Sequence, residues 1–512
     1  MNSTNKRATP TQYQLILNWD GAPTGFTHYP MAPEQFAHFA VGQFVDTQID
    51  AIFWCASEDG NTVSWKSDQF ELYGEGANFT EDRVQNWRYM ANVKHWVDSG
   101  LDVPRVIAEA CRQRRVGSFF SLRVNDIHDA QGGMHAPKIK RENPHWMHGK
   151  GSLASTGLNY VHFGVREYKK ALIKEFFEKF DFDGLELDWL RGEVNLPEWH
   201  EYQHRYAITD FITDLRSMLD EMGRKRGRPI ELAARVPETI EGCLLAGLDV
   251  PKWIDRHLID HLIVGNMAVE FNLRPFKTMC DKAAVRLYPC LYGWGNGYNP
   301  NPGTSGPCPD DMIRGTAAKC WAQNADGLYL FNMYPTEGFR MDLMKQIGSP
   351  QTLEGLSKRF AAEVSSRDPI HFKNLFYYSP LPVSLDRTHG LGPTIPVTVT
   401  DDVERAHQNG SLDAVYIEVL FHEITPELDE IEFDFNGQPI ERSDTILAKT
   451  LLGHGTELVT AYGHETWVLR PDPSRVKVGI NELTVTLKHR NPAITSPLVI
   501  QRCEIVVEYR GH

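Results

Sequence analysis

The 512-residue chain lacks the features that would place it in a bilayer or on nucleic acid. No apolar run approaches the roughly 20 residues that a membrane-spanning helix needs. Its first residues, MNSTNKRATPTQYQ, are polar and lack the apolar stretch of a secretory signal, so a native start and a cytoplasmic location are expected. Basic charge is scarce: 53 Lys and Arg stand against 67 Asp and Glu, a formal net charge of −14. Phosphate backbones are bound by clustered Lys and Arg, which argues against a nucleic-acid partner. The most basic stretch, Gly223–Arg228, closes an expected helix, where cations face the negative end of the dipole. The eight cysteines include no C-x-x-C pair, which argues against a zinc ribbon or redox motif. They read instead as buried reduced thiols, suited to a reducing compartment. There is no internal repeat and no low-complexity tract. The first expected strand runs into Asp20-Gly21-Ala22-Pro23, which is not the glycine fingerprint of a dinucleotide site, and no cofactor is expected.

What is present is alternation. Eight short apolar runs, Gln14–Asp20, Ala51–Cys55, Ser118–Asp126, Gly184–Trp189, Glu231–Val236, His261–Met267, Arg286–Tyr292 and Gly327–Tyr334, are separated by helical stretches. Val165–Phe180 and Pro197–Glu221 carry apolar stripes at helical spacing. Eight β–α repeats predict a closed (β/α)8 TIM barrel over residues 10–350 rather than an open doubly wound sheet. Two long insertions, Glu58–Asn86 and Ile127–Tyr160, follow strands two and three, on the face where such barrels carry their chemistry. Beyond residue 365 the period changes to two, and Asn436-Gly437 marks a hairpin. An all-β sandwich is expected over 365–512, either packing on the barrel or binding glycan.

Strand residues alternate faces. In Asp183–Trp189 the apolar set Leu185, Leu187 and Trp189 must face the helices, so Glu186 and Asp188 point into the barrel. The same test turns Ser121, Arg123 and Asn125 inward on strand three, Asn18 and Asp20 on strand one, Arg235 on strand five and Asn332 at the end of strand eight. Arg123 and Arg235 are expected to compensate the buried acids and keep them ionised. Such a ring of acids, arginines and amides suits a hydroxyl-rich ligand. Asp126 and His128 follow strand three, and Trp146 and Trp294 sit on loops where a ring could stack on an apolar sugar face. A carbohydrate partner is therefore expected, no metal is assigned, and a homo-oligomer is left open.

The run Asp183–Trp189 (DGLELDW) resembles the strand-four signature of family 18 chitinases, roughly D-G-x-D-x-D-x-E. Asp183 and Asp188 match its first and third acids, Glu186 replaces the second, and Leu190 stands where the final glutamate falls. The resemblance thus does not imply a chitinase-like, substrate-assisted mechanism. Thr316–Asn332, ending in ADGLYLFN, is similar to the last helix and strand of many barrel glycosidases. Arg123–His128 (RVNDIH), together with the strand-four block, resembles poorly characterised bacterial glycosidase-like barrels. These likenesses cover the barrel and imply hydrolysis of a glycosidic bond. That chemistry needs one ionised and one protonated carboxyl group. Asp188 is the expected ionised group and Glu238, following strand five, the expected acid, with Asp126, Glu270 and Glu337 as alternatives and Glu186 orienting Asp188. Two rival readings remain: a catalytically inactive glycan-binding barrel, and a metal-dependent barrel hydrolase. The second would want inward histidines on strands one and five, and none falls there.

Overall fold

A computed structural model describes the chain except residues 1–8, 20–24, 58, 82, 132–134, 193, 267, 294–307, 337, 365–378, 386–391, 455–456 and 512, and the side chains of 449–454 and 457–464. Eight strands form a closed parallel barrel in sequence order: β1 (Leu15–Trp19), β2 (Ile49–Ser57), β3 (Gly117–Arg123), β4 (Gly184–Asp188), β5 (Glu231–Val236), β6 (His261–Val264), β7 (Arg286–Tyr292) and β8 (Leu328–Phe331). They are buried on both faces, which is why they read as nearly continuous apolar runs. The outward side chains pack against the surrounding helices in one large cluster, while Ile16, Phe53, Phe119, Ile263, Tyr288 and Tyr329 fill the interior. Phe53 and Phe119 stack at 4.2 Å, and a Cβ on Gly184 would lie 2.2 Å from the Phe119 ring, so only glycine fits there.

A repeated clamp holds the barrel at its N-terminal end. The aspartate that opens each even strand accepts a backbone N–H from the start of the preceding odd strand. Asp50 takes those of Gln14 and Leu15 at 2.8 and 3.1 Å, Asp183 that of Ser118 at 2.9 Å, Asp260 that of Leu232 at 2.8 Å and Asp326 that of Leu287 at 2.9 Å. Asp183, the first acid of the strand-four signature, is thus a structural group at the end of the barrel away from the expected site. A polar cleft of about 690 Å³ opens on this face, between Asp50, Asp183, Arg228 and Glu231.

The C-terminal region is a two-sheet β-sandwich, as expected. Its strands are β9 (Lys358–Ala361), β10 (Val383–Leu385), β11 (Thr394–Val399), β12 (Leu412–His422), β13 (Glu430–Phe435), β14 (Gln438–Pro439), β15 (Thr445–His454), β16 (Glu457–Leu469), β17 (Gly479–His489) and β18 (Leu498–Tyr509). One sheet runs β10-β18-β12-β16-β15 with β9 also on β18, and the other runs β11-β17-β13-β14. Asn436 and Gly437 take positive φ at the β13–β14 turn, as the hairpin signal requires. β9 lies between the two expected domains, where no strand is read from the sequence, and it pairs antiparallel with β18. It also touches the barrel: a Cβ on Gly315, in the helix Asp310–Ala322, would lie 2.1 Å from the Arg359 carbonyl oxygen. All eight cysteines are buried, and none forms a disulfide.

The clamp predicts a stability cost. Asp260→Ala removes the acceptor of the Leu232 N–H and one of the two carboxylates that Arg216 pairs with, 3.0 Å away. Equilibrium denaturation should show a loss of about 1–3 kcal/mol, and an unchanged midpoint would refute the structural role.

Candidate functional site

Strand register sets the site in tiers. Ser121, Glu186 and Ala233 share one level of β3, β4 and β5, and Arg123, Asp188 and Arg235 share the next level toward the C-terminal ends. In the lower tier Glu186 accepts hydrogen bonds from Asn18 Nδ2 at 3.1 Å and from the Tyr329 hydroxyl at 2.5 Å, and it also bonds Ser121. It is fully buried. Burial first, and then the neighbouring Asp188 charge, push its pKa up to about 8. The expectation that both inward acids stay ionised is therefore corrected at Glu186. Its hydrogen-bonding partners are neutral, so desolvation wins, and its link to Asp188 is electrostatic.

In the upper tier Asp188 and Arg235 form a bidentate ion pair, Nε to Oδ1 at 2.9 Å and Nη2 to Oδ2 at 3.1 Å. Leu190 N–H also donates to Asp188 Oδ1 at 3.0 Å. The pair is only 0–1% exposed. The guanidinium lies over the Phe331 ring at 3.8 Å. Burial opposes the Arg235 charge, but Asp188 more than offsets it and raises the guanidinium pKa well above its usual value. Arg123, also expected beside Asp188, pairs with Asp126 instead at 3.0 Å, because Asp126 lies only three residues on and reaches back to it.

Around Asp126 a second network forms. Its carboxylate also accepts from the backbone and ring Nδ1 of His128, both at 2.9 Å. Burial raises the Asp126 pKa, but the His128 hydrogen bond and the Arg123 charge outweigh it and hold the carboxyl far below its usual range. His128 leaves its ring more than one-third exposed, at 38%. Asn125 binds only backbone: Nδ2 donates to the Leu158 and Val194 carbonyls, and Oδ1 accepts from Leu158 N–H. It ties the strand-three insertion to the loop after β4, and those bonds take up its amide. Lys140, almost wholly buried, donates to the Asp126 carbonyl and to Asp129. Trp146 packs partly buried over Gly164, where a Cβ would come within 2.1 Å of its ring.

Asn332, at φ +47°, organises an aromatic edge at the end of β8. Its Nδ2 donates to the Tyr292 hydroxyl at 3.1 Å, its Oδ1 accepts from the Tyr334 hydroxyl at 2.8 Å, and Tyr334 stacks on Trp19 at 5.9 Å. Asp20, Trp294 and Glu337 lie outside the described residues.

Glu238, two residues past β5, is buried and accepts the Asn266 N–H at 2.5 Å. Burial pushes its pKa up to about 7 against that hydrogen bond and the Arg235 charge. Glu270 follows β6 and pairs with Lys319 at 2.8 Å. Sequence reading missed three groups. Tyr329 was legible, since alternation along GLYLFNMY turns it inward. Lys169 sits on an apolar helix face; it is fully buried, donates to the Gly60 carbonyl and to Asn61 Oδ1, and is lowered to about 7 by burial. Glu363 falls between the two expected domains, where no pattern marks it. Among the described residues no cluster of three His, Cys, Asp or Glu is arranged to hold a metal ion.

No protein-family profile matches the chain, and no curated protein matches it in sequence. Solved structures similar to it include the PgaB glycoside hydrolase domain from Bordetella bronchiseptica, at 11% identity and TM-score 0.45, covering 67% of this chain and 99% of that one. A chitinase B catalytic domain from Arthrobacter aligns at 10% identity and TM-score 0.41, over 66% of this chain and 95% of its own. An alpha-galactosidase from Geobacillus stearothermophilus aligns at 11% identity and TM-score 0.36, over 97% of this chain and 55% of its own. At these scores the likenesses add nothing beyond the barrel that the topology itself shows.

Proposed function

We propose that the protein is a glycoside hydrolase that cleaves an O-glycosidic bond in an oligo- or polysaccharide with a pair of carboxyl groups, Glu238 and Asp188. One observation carries this reading. At the ends of the adjacent strands β4 and β5, Asp188 is ion-paired with Arg235, while Glu238 is raised to about 7 by burial. A carboxylate held in an ion pair beside a second carboxyl that burial favours in its neutral form is the combination glycosidic cleavage requires. Glu238 donates its proton to the leaving oxygen, and Asp188 supplies the negative charge that meets the oxocarbenium-like centre. His128, Asn332 and the tyrosines it holds are the groups placed to meet sugar hydroxyls.

A second reading is a barrel that binds glycan without turnover. Asp188 favours it, because it is 1% exposed and both its oxygens are engaged. Screening aryl glycosides and oligosaccharides for both turnover and calorimetric binding separates the two. Binding without hydrolysis across the panel gives the second.

Two predictions follow from the pair. Glu238 must be protonated to act, so kcat/KM should fall as pH rises through about 7, the value its burial sets. Glu238→Gln should abolish that alkaline limb and slow substrates with poor leaving groups far more than activated aryl glycosides. Equal losses on both substrate types would remove Glu238 from the acid role. Asp188→Asn should cost at least about a thousandfold in kcat with the circular dichroism spectrum retained, a loss suited to a reacting carboxylate. Near-normal turnover by the folded variant would defeat its assignment.

A further inference from the structure

We propose that the rings of Trp199, Tyr202 and Tyr206, on the segment that follows β4, form a track for an extended glycan chain, so that the substrate is a polysaccharide reaching well beyond the carboxyl pair. The inference rests on the hydrolase reading above for the kind of ligand, and deepens it by choosing polymer over short oligosaccharide.

The position of the exposed rings carries it. Among the described residues, seven Phe, Tyr and Trp side chains are strongly exposed, at 39–77%. Tyr29 follows β1, Trp87 follows β2, Phe163 opens the helix Phe163–Lys179 after β3, Phe339 follows β8, and Trp199, Tyr202 and Tyr206 follow β4. Each therefore belongs to a segment that leaves the C-terminal end of a barrel strand, the face on which Asp188 and Glu238 lie. None lies in the returns that lead into a strand at the opposite face, and none in the sandwich. Exposed aliphatic side chains follow no such rule: Val45 leads into β2, and Leu428, Val478 and Ile480 are in the sandwich. Scattered apolar surface needs no explanation, but rings confined to one face do.

The group after β4 is built for contact. Trp199 is the third residue of the turn Pro197–His200, closed by His200 N–H to the Pro197 carbonyl at 3.0 Å, and its φ is +67°. That left-handed position favours glycine, and yet it carries an indole that is 77% exposed. Strain and exposed apolar surface both cost stability, so folding alone gives no reason for tryptophan here. Tyr202 lies in the helix Glu201–His204, and Tyr206 opens the helix Tyr206–Arg226. Arg205 between them stays right-handed helical, so the two tyrosines share a helix face one turn apart, about 6 Å along the axis. Arg205 also fixes the Tyr202 ring. Its guanidinium lies 4.0 Å over that ring, with Nη1 on the Tyr202 carbonyl at 2.7 Å and Nε on Asp249 at 3.2 Å. A ring held in this way loses little freedom when a ligand stacks on it.

The track is continuous with the site. The loop from Asp188 to Trp199 is backed at successive points by the strand-three insertion. Its Val194 carbonyl accepts from Asn125 Nδ2 at 2.9 Å, its Asn195 carbonyl from Tyr160 N–H at 2.9 Å, and Glu198 Oε1 from Leu153 N–H at 3.2 Å. A Cβ on Gly247 would lie 2.4 Å from Leu196 Cδ1, so the other flank is packed as well. The chemistry of the face suits a sugar chain. Each ring offers a flat apolar surface, and the exposed positions between them, His200 and Gln203, are polar. A pyranose presents the matching pair, an apolar C–H face rimmed by hydroxyls. A protein partner would want the rings joined into one apolar core. A ligand confined to the space over Asp188 leaves the track uncovered, whereas a chain of several sugar units covers both.

Native gels cast with hydroxyethylcellulose, glycol chitin, xylan or galactomannan, run with the full chain, read polymer binding without turnover. At least one polymer should retard the wild type. Trp199→Gly should weaken that binding at least about fivefold in apparent Kd, the size of one lost stacking contact. The same substitution relieves the left-handed strain, so its thermal midpoint should stay equal or rise. A structural role for the indole predicts the opposite pair, a lower midpoint with unchanged retardation. The double variant Tyr202→Ala/Tyr206→Ala should also weaken binding, and it answers the question if Trp199→Gly fails to fold. Retardation of the wild type by none of the polymers, or undiminished retardation of either folded variant, overturns the proposal. So does a wild-type dimer in sedimentation velocity that Trp199→Gly dissociates, which would put a second copy of the chain on this face. A polymer bound but never cleaved would sink the hydrolase and leave the track standing. Short aryl glycosides cleaved by a protein that no polymer retards would refute the track alone.

Discussion

A parallel barrel closes only if its strands start in step, and the first backbone donors at its N-terminal end have no strand partner to take them. In this protein an aspartate at the head of each even strand takes the leading N–H of the odd strand before it. The device recurs four times around the barrel, with a bulge beside Asp50 at the first, so it fixes register as well as satisfying buried donors. Everything above depends on that register. It brings Arg123, Asp188 and Arg235 to one level and Glu186 to the level beneath.

The interior then divides its charges by reach. Asp188 and Arg235, on adjacent strands at equal height, satisfy one another face to face. Glu186, one level down, is left with a tyrosine, a serine and an amide, and in those surroundings it takes a proton. A buried pair of this kind adds little net stability, yet removing one member strands the other, so the pair acts mainly to hold position. Beneath that neutral tier lies the aromatic packing of Phe53 and Phe119, which Tyr329 joins through Phe53.

Much of this was legible in the sequence, for identifiable reasons. Strands buried on both faces write themselves as apolar runs, and alternation then decides which polar residues turn inward; Asp188 and Arg235 meet on that basis. Alternation could not say which partner each group chooses. Arg123 pairs with Asp126, three residues along the chain, a choice that strand alternation does not encode. Asn125 points to the right region, but backbone groups of the insertion occupy its amide, and that choice depends on a loop conformation no period encodes. Trp146 sits on a loop as expected and yet packs down on Gly164, because a neighbouring residue without a side chain leaves a slot for its ring. β9 and Glu363 escape because four strand residues and one acid between the expected domains carry too short a pattern to register.

The buried cysteines carry one more consequence. Their eight thiols are spread from β2 through the helices and β7 to β18, and all are buried in the folded chain. Burial also pushes the pKa up at Cys111, Cys290 and Cys503 among others, so a reagent that needs thiolate meets little charge there. Each thiol becomes modifiable only when its own neighbourhood opens. The chain thus carries an intrinsic set of reporters from which alkylation rates, read cysteine by cysteine, would chart the order in which barrel and sandwich come apart.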